Sequence, residues 1–302
     1  MISVENLDKQ FGGITAVNDL TFNVKKGTIF GIVGPDGAGK STLLRMLSGI
    51  LRPDGGTIQI GGLNIQDNLY AVKENLAYMP QRFGLYEDLT VEENIIFFGK
   101  LFGVSKNGIR KKIPLLYEFS RLAPFKDRLA GKLSGGMKQK LGLACSLVHD
   151  PELILLDEPT NGVDPVSRME FWKILNSLFL NGVTIIVSTA YLDEAERCGR
   201  LALMNEGSFI REGSPLEIKK SMNKSMLEII TDDIWKAESI LKVNGKFNNI
   251  IREGNSLKIF TSSRTNDMAK IKKLLAEKKI QTHSVREKLP SLEDCFMEIV
   301  AG

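Results

Sequence analysis

Gly34-Pro35-Asp36-Gly37-Ala38-Gly39-Lys40-Ser41 decides the fold, because it fits the phosphate-loop pattern G-x-x-x-x-G-K-[ST]. Glycines at these positions let successive backbone N–H groups turn inward and approach phosphate oxygens with no Cβ in the way. The stretch follows a short apolar run, Thr28 to Val33, and opens a helix expected from Gly39 to Leu47. A strand that runs through such a loop into a helix N-terminus is a ready anion site. Lys40 is placed to reach β- and γ-phosphates, and Ser41 to ligate Mg²⁺, so the expected ligand is MgATP.

Outward from this loop, the chain reads as α/β. Ile2 to Asn6 and Ala16 to Val24 are predicted strands, as is Thr57 to Ile60 after the turn Pro53-Asp54-Gly55-Gly56. Residues 92–147 read mostly as helices. Leu153 to Leu156 and Val183 to Val187 are continuous apolar runs, of the kind buried on both faces of a parallel sheet. The first run ends on Asp157-Glu158, which delivers two carboxylates at a strand's carboxyl end, where open α/β sheets bind ligands. Asp157 suits Mg²⁺, and Glu158 suits the orientation of an attacking water. Leu133-Ser134-Gly135-Gly136 heads a further helix with Ser134 as its N-cap, a second anion site in the chain.

Near residue 222 the texture changes. The order becomes strand (Met226 to Thr231), helix (Trp235 to Leu241), two strands (Ile250 to Arg252, Leu257 to Thr261), helix (Met268 to Lys278) and strand (Thr282 to Arg286). A last helix runs from Leu292 to Val300. This β-α-β-β-α-β succession predicts a small α+β, ferredoxin-like domain over 223–302, after a nucleotide-binding domain over 1–222 with a helical subdomain at about 85–150.

Composition narrows the class. At 302 residues and 43% apolar content the chain can bury cores for two domains. No stretch reaches the length of a membrane span. The three cysteines, Cys145, Cys198 and Cys295, stand far apart with no CxxC pair, which argues for a reducing cytosol over a disulfide framework or zinc site. Net charge is only +4, and its densest cluster (Lys270, Lys272, Lys273, Lys278, Lys279) has helical spacing without interleaved aromatics. That favours a solvated helix face, leaves contact with anionic lipid headgroups open, and predicts no nucleic-acid partner.

With GPDGAGKST at 34–42, Gln81 in YMPQRFGLYEDLTVEEN, LSGGMKQK at 133–140, LLDEPTNGVDP at 156–165 and STAYLDEAE at 188–196, the chain resembles ATP-binding subunits of ABC transporters. The wording of GPDGAGKST, STAYLDEAERC and the closing LPSLEDCFMEIV is most similar to bacterial multidrug-type exporters with ABC-2 permeases. The resemblance implies a P-loop NTPase core with a mixed sheet. It implies an ATP-hydrolysing motor at the cytoplasmic face of the inner membrane, peripheral and coupled to a separate permease. Two nucleotide-binding domains, identical or related, would sandwich ATP between the Gly34–Thr42 loop of one and Ser134, Gly135 and Gly136 of the other. By the same resemblance Gln81 senses the γ-phosphate and Mg²⁺, Asp164 lies in a loop crossing the dimer interface, and Phe11 stacks on adenine. Lys40, Gln81 and Glu158 are then the catalytic set, and Ser41, Gln81 and Asp157 the metal set. Phe83, Tyr86, Phe97, Phe98 and Phe102 fall where packing within the helical subdomain meets a groove for a permease helix.

The sequence departs from the family at one point. A histidine usually follows Ser188-Thr189, whereas this chain has Ala190, and its histidines, His149 and His283, lie elsewhere. Slow hydrolysis is the expectation, since removing one polar contact to developing charge typically costs roughly 10²–10³ in rate. Two other readings stay open: a regulatory, weakly hydrolytic nucleotide-binding module, and a soluble ABC ATPase not engaged in transport.

Overall fold

The computed structural model describes residues 1–222, 224–243, 247, 250–261 and 264–301, and the chain divides into two compact units, Met1–Glu212 and Gly213–Gly302. Residue 223, where the sequence reading opens the second domain, lies outside the described residues. The contact boundary falls ahead of the short helix Pro215–Lys220, which packs on the C-terminal helix Leu292–Ala301 of the second unit.

In the first unit, β1 (Ile2–Phe11) and β2 (Ile14–Val24) form a hairpin around Gly12 and Gly13, both at positive φ. Both strands reach further toward that turn than their alternating patterns suggest. β3 (Ile29–Val33) leads through the phosphate loop into helix α1 (Lys40–Leu47). Next come β4 (Gly55–Ile60), β5 (Leu63–Asn64), α2 (Leu69–Glu74) and β6 (Leu76–Met79). A helical segment follows: α3 (Val91–Leu101), α4 (Lys106–Ser120) and α5 (Gly135–Leu147). The chain then re-enters the sheet with β7 (Leu153–Asp157), α6 (Pro165–Leu180), β8 (Thr184–Thr189), α7 (Leu192–Ala195), β9 (Arg200–Asn205) and β10 (Ser208–Gly213).

These strands make an antiparallel sheet, β2-β1-β4-β5, and a six-stranded sheet, β10-β9-β3-β8-β7-β6, in which β9, β3, β8, β7 and β6 run parallel. Every residue of β3, β7 and β8 is buried, as their unbroken apolar runs require. Leu43, Leu44 and Leu47 of α1 join Val4, Phe22 and Ile58 of the first sheet and Ile32, Leu155 and Ile186 of the second in one core. The register Val33↔Thr189, Asp157↔Ser188 and Met79↔Leu156 ends β3, β8, β7 and β6 along one edge. All of the carboxyl-end chemistry is therefore delivered to one place.

The helical segment is tied to the chain ahead of it by a buried amide. Asn94 is 0% exposed; its Nδ2 donates to the carbonyls of Tyr86 (3.0 Å), Leu89 (3.2 Å) and Thr90 (2.9 Å), and its Oδ1 accepts from Tyr86 N (3.0 Å). Thr90 closes α3 with a reciprocal capping box to Glu93. His149, just past α5, stacks on Phe102 at 4.3 Å between ring centroids and puts Nε2 3.3 Å from the Leu76 carbonyl. It thus serves the subdomain's packing.

The second unit contains α8 (Pro215–Lys220), β11 (Ser225–Thr231), α9 (Ile234–Val243), β12 (Ile250–Glu253), β13 (Ser256–Thr261), α10 (Arg264–Glu277), β14 (Thr282–Lys288) and α11 (Leu292–Ala301). Its sheet order, β12-β13-β11-β14 with antiparallel neighbours, is the ferredoxin-like arrangement expected from β-α-β-β-α-β. Leu227, Ile229, Leu257, Ile259 and Val285 pack against Ala237 and Leu241 of α9 and Ile271 and Leu275 of α10. The intervening residues face the other way. There Glu228 accepts from Arg286 (2.8 Å) and Lys288 (2.7 Å), and Lys258 pairs with Asp294 of α11 (3.1 Å). Lys272, Lys273, Lys278 and Lys279 are exposed on or just past α10 while Ile271 and Leu275 are buried, so this cluster is a solvated face.

Replacing Asn94 by Ala strands the Tyr86 N–H and removes a shared donor from three carbonyls. The substitution is expected to lower the free energy of unfolding by about 2–3 kcal/mol, read as a reduced urea midpoint at unchanged m-value.

Candidate nucleotide site

The phosphate loop spans β3 and α1, and its backbone tolerates no side chain at two of its glycines. A Cβ on Gly34 would lie 2.1 Å from the Met204 carbonyl oxygen. Gly39, at φ +103°, would place one 2.2 Å from the Ala16 carbonyl oxygen and caps α1 without a side-chain hydrogen bond. Ile14, Thr15 and Ala16 on one side and Gln81 and Glu158 on the other join Asp36 to Thr42 around a cleft of about 430 Å³. Its N–H-rich floor and the start of α1 suit an anion of triphosphate size.

Lys40 is buried to 4% exposure and fully engaged: Nζ donates to the carbonyls of Gly34 (2.8 Å) and Pro35 (2.9 Å) and lies 3.0 Å from Glu158 Oε1. Glu158 is 8% exposed, and its other oxygen accepts from Gln81 Nε2 (3.2 Å) and Asn161 Nδ2 (3.1 Å). Its backbone sits at φ +46°, a conformation L-residues rarely adopt, pinned by its N–H to the Ser188 carbonyl (3.2 Å) and Oγ (2.9 Å). Asp157 Oδ1 accepts from Ser41 Oγ (2.9 Å) and Ser188 Oγ (2.8 Å), and Oδ2 from Tyr78 OH (3.4 Å). Burial, and then the Asp157 carboxylate, push the Tyr78 phenol up to about 12, so it stays a donor at neutral pH. One hydroxyl and one carboxylate, both hard oxygen ligands, suit Mg²⁺, which takes few protein ligands and completes its octahedron with phosphates and waters.

A second polar cluster abuts this one. Glu194 of α7, 0% exposed, accepts from Thr160 Oγ1 (2.6 Å) and Thr189 Oγ1 (2.8 Å), with Arg168 Nε 3.4 Å away. Ala190 is exposed and lines a separate cavity of about 110 Å³ beside Glu158. Asp164 caps α6, accepting from the N–H groups of Ser167 (2.9 Å) and Val166 (3.1 Å); Ser167 above all holds its carboxyl below the usual range.

The structure thus brings Gly34–Thr42, Gln81, Asp157 and Glu158 together. Ser134, Gly135, Gly136, Asp164 and Phe11 do not line that cleft. Ser134 caps α5 by accepting from Met137 N (3.3 Å), and Gly136 abuts α6 so closely that a Cβ would lie 2.5 Å from that of Ser167. Phe11 is 47% exposed at the end of β1, with Lys9 Nζ 5.4 Å from its ring centre. Sequence reasoning missed Ser188, Tyr78, Asn161 and Glu194. Only the register of β7 against β8 and β6 brings Ser188 and Tyr78 to Asp157.

Comparison with known proteins agrees with this geometry. Residues 17–161 match the ABC transporter family and residues 213–300 match the C-terminal domain of DrrA1-3-like ATP-binding proteins. The chain is 49% identical over 224 residues to the probable multidrug ABC transporter ATP-binding protein YbhF of Escherichia coli (strain K12). That match covers 74% of this chain but 39% of YbhF, so the chain spans about two fifths of that relative's length. It is 40% identical over 243 residues to the Nod factor export ATP-binding protein I of Ralstonia nicotianae, covering 80% of this chain and 76% of the relative. Among solved structures, the dimeric post-hydrolysis state of the ATP-binding cassette MJ0796 bound to ADP and Pi superposes with a TM-score of 0.64 at 27% identity, covering 71% of this chain and 98% of that one. The cbiO1 structure from Clostridium perfringens, part of the cbiONQ transporter complex, gives a TM-score of 0.67 at 28% identity, covering 81% of this chain and 94% of that one. The chain belongs to the ABC transporter ATP-binding proteins, a family of P-loop ATPases, and carries a DrrA-like C-terminal domain.

Proposed function

We propose that this chain is the ATP-hydrolysing motor subunit of an exporter, working as a dimer at the cytoplasmic face of the inner membrane beside a separate permease. The observation that carries the reading is the buried contact of Lys40 with Glu158 at 3.0 Å, at the mouth of a phosphate-shaped loop. A lysine on this loop is a phosphate ligand. Phosphate that engages Lys40 removes the cation from Glu158 Oε1 and leaves that oxygen free to accept from a water. Glu158 then orients and polarises the nucleophile, while Gln81, already on Oε2, moves with it. Mg²⁺ held by Ser41 and Asp157 would supply charge neutralisation at the phosphates. The remaining N–H groups of the loop position the substrate.

The split between near and far motif residues supports dimerisation. A Ser134-capped helix start outside the chain's own cleft offers backbone N–H groups to a nucleotide held by another copy or a related subunit. Phe11 presents a ring face for adenine. The exporter assignment rests on the relatives named for multidrug and Nod factor export. Among the described residues no helix is long and apolar enough to cross a membrane. The chained rings of Phe83, Phe98, Tyr86 and Phe97 (Phe83–Phe98 5.0 Å, Tyr86–Phe97 4.4 Å) give the helical subdomain a half-exposed aromatic surface suited to a permease helix.

Glu158→Gln is expected to keep MgATP binding while lowering steady-state turnover roughly 10²–10⁴-fold. Lys40→Ala should lose binding itself, as read by a fluorescent ATP analogue. Retained turnover in Glu158→Gln would show that hydrolysis does not run through this carboxylate. For the dimer, Lys40→Ala chains mixed with Gly135→Asp chains are expected to recover part of the turnover that each lacks alone. Each mixed pair then holds one intact composite site, and a mixture as inactive as its components would refute the shared site.

A further inference from the structure

Glu158 has a polar neighbourhood on the side away from Lys40 that the mechanism above leaves unused. The cavity of about 110 Å³ beside it is bounded by Glu158, Asn161, Thr189, Ala190 and Tyr191. The methyl group of Ala190 offers no hydrogen bond, and two threonine hydroxyls nearby are already spent, since those of Thr160 and Thr189 both donate to Glu194 (2.6 and 2.8 Å). Tyr191 is the remaining hydroxyl. It lies 3.5 Å from Asn161 Oδ1, at the long end of hydrogen bonding, and Asn161 Nδ2 donates to Glu158 Oε2 at 3.1 Å.

The direction of this relay is fixed by chemistry. An ionised carboxylate only accepts, so the Asn161 amide must turn Nδ2 toward Glu158, which aims Oδ1 at Tyr191, whose hydroxyl must donate. The tyrosine ring is itself held. The Arg168 guanidinium lies over its face at 4.0 Å, Arg168 in turn leans on the buried Glu194, and the Tyr191 N–H donates to Thr189 Oγ1 at 3.0 Å. The turn after β7 meets the hydroxyl, α6 covers the ring, and the end of β8 holds the backbone N–H of this one tyrosine.

We propose that Tyr191 is a positioning residue for hydrolysis. Through Asn161 it fixes the second oxygen of Glu158, on the side where Ala190 supplies no polar contact. Once Lys40 turns to phosphate, Gln81 and Asn161 remain as the described side-chain partners of the Glu158 carboxylate. An Asn161 amide free to rotate would let the carboxylate swing off the attacking water. The phenol locks that amide.

This inference rests on the hydrolytic reading above, and the test separates the two. Single-turnover ATP hydrolysis by the full chain, with protein in excess so that slow rates are measurable, is compared for wild type, Glu158→Gln, Tyr191→Phe, Asn161→Ala and the double variant Tyr191→Phe/Asn161→Ala. Tyr191→Phe keeps the ring beneath Arg168 and removes only the hydroxyl. It is expected to slow the hydrolytic step about tenfold, the weight of one hydrogen bond, with affinity for the fluorescent ATP analogue and thermal midpoint unchanged. Asn161→Ala should cost at least as much, and adding Tyr191→Phe to it should cost nothing more, because the phenol acts only through the amide. Wild-type rates in Tyr191→Phe, or losses that add in the double variant, would overturn the relay while Glu158→Gln stays inactive. Hydrolysis by wild type no faster than by Glu158→Gln would instead overturn the hydrolytic reading, and the relay with it.

Discussion

The first unit is organised around one buried ion pair. Lys40 and Glu158 are each under a tenth exposed, and two charges taken out of water are stable only where geometry and extra hydrogen bonds compensate for lost hydration. Here the carbonyls of Gly34 and Pro35 complete the lysine, and Gln81 and Asn161 complete the carboxylate. The loop with its two carbonyls, Gln81, and the turn holding Glu158 and Asn161 come from three separate parts of the chain. The loop must therefore sit at the end of β3, the carboxylate at the end of β7 and the glutamine just past β6, or an uncompensated charge remains. The parallel register that aligns these strand ends meets the same electrostatic requirement. It also places Ser41 against Asp157.

An anionic ligand enters this arrangement as a competitor. It takes the lysine from its internal partner, so binding is coupled to a change in what Glu158 holds. The left-handed backbone of Glu158 adds to the coupling, because its side chain hangs from a strained position maintained by Ser188. The polar cluster around Glu194 gives the far side a stiff wall, joining α7 to the turn after β7 and the end of β8 through two threonine hydroxyls, with Arg168 of α6 beside it.

Much of this was legible in the sequence because it is local. A phosphate loop is a contiguous backbone conformation, so its glycines and lysine announce it. Ser134 caps a helix whose first turn follows directly. The unbroken apolar runs at 153–156 and 183–187 correspond to strands buried on both faces. The succession of short elements after residue 222 gave the ferredoxin-like order, since alternation there is clean on one face and ion-paired on the other. What was not legible is set by pairing between distant strands. Nothing near Ser188 in the chain indicates that its hydroxyl bridges Asp157 and the Glu158 N–H. Tyr78 reads as an ordinary strand aromatic until β6 lies beside β7. The strands β6, β9 and β10 also went unread, although β9 carries the apolar run Leu201–Met204. Asn161 and Tyr191 look like turn residues, and only the approach of two loops brings them together.

The position of β3 between β8 and β9 also bears on how the protein is made. Synthesis delivers the phosphate loop early, yet the strand that carries it pairs with residues 185–189 and 200–203. On the ribosome, β3 must wait through the emergence of the helical segment and β7 before either neighbour exists, and such distant pairing is slow to form. The antiparallel hairpin β1–β2 needs only local pairing, whereas β3 emerges apolar and without its neighbours. The nascent chain is thus most exposed to misassociation while this motif is complete in sequence but absent in space.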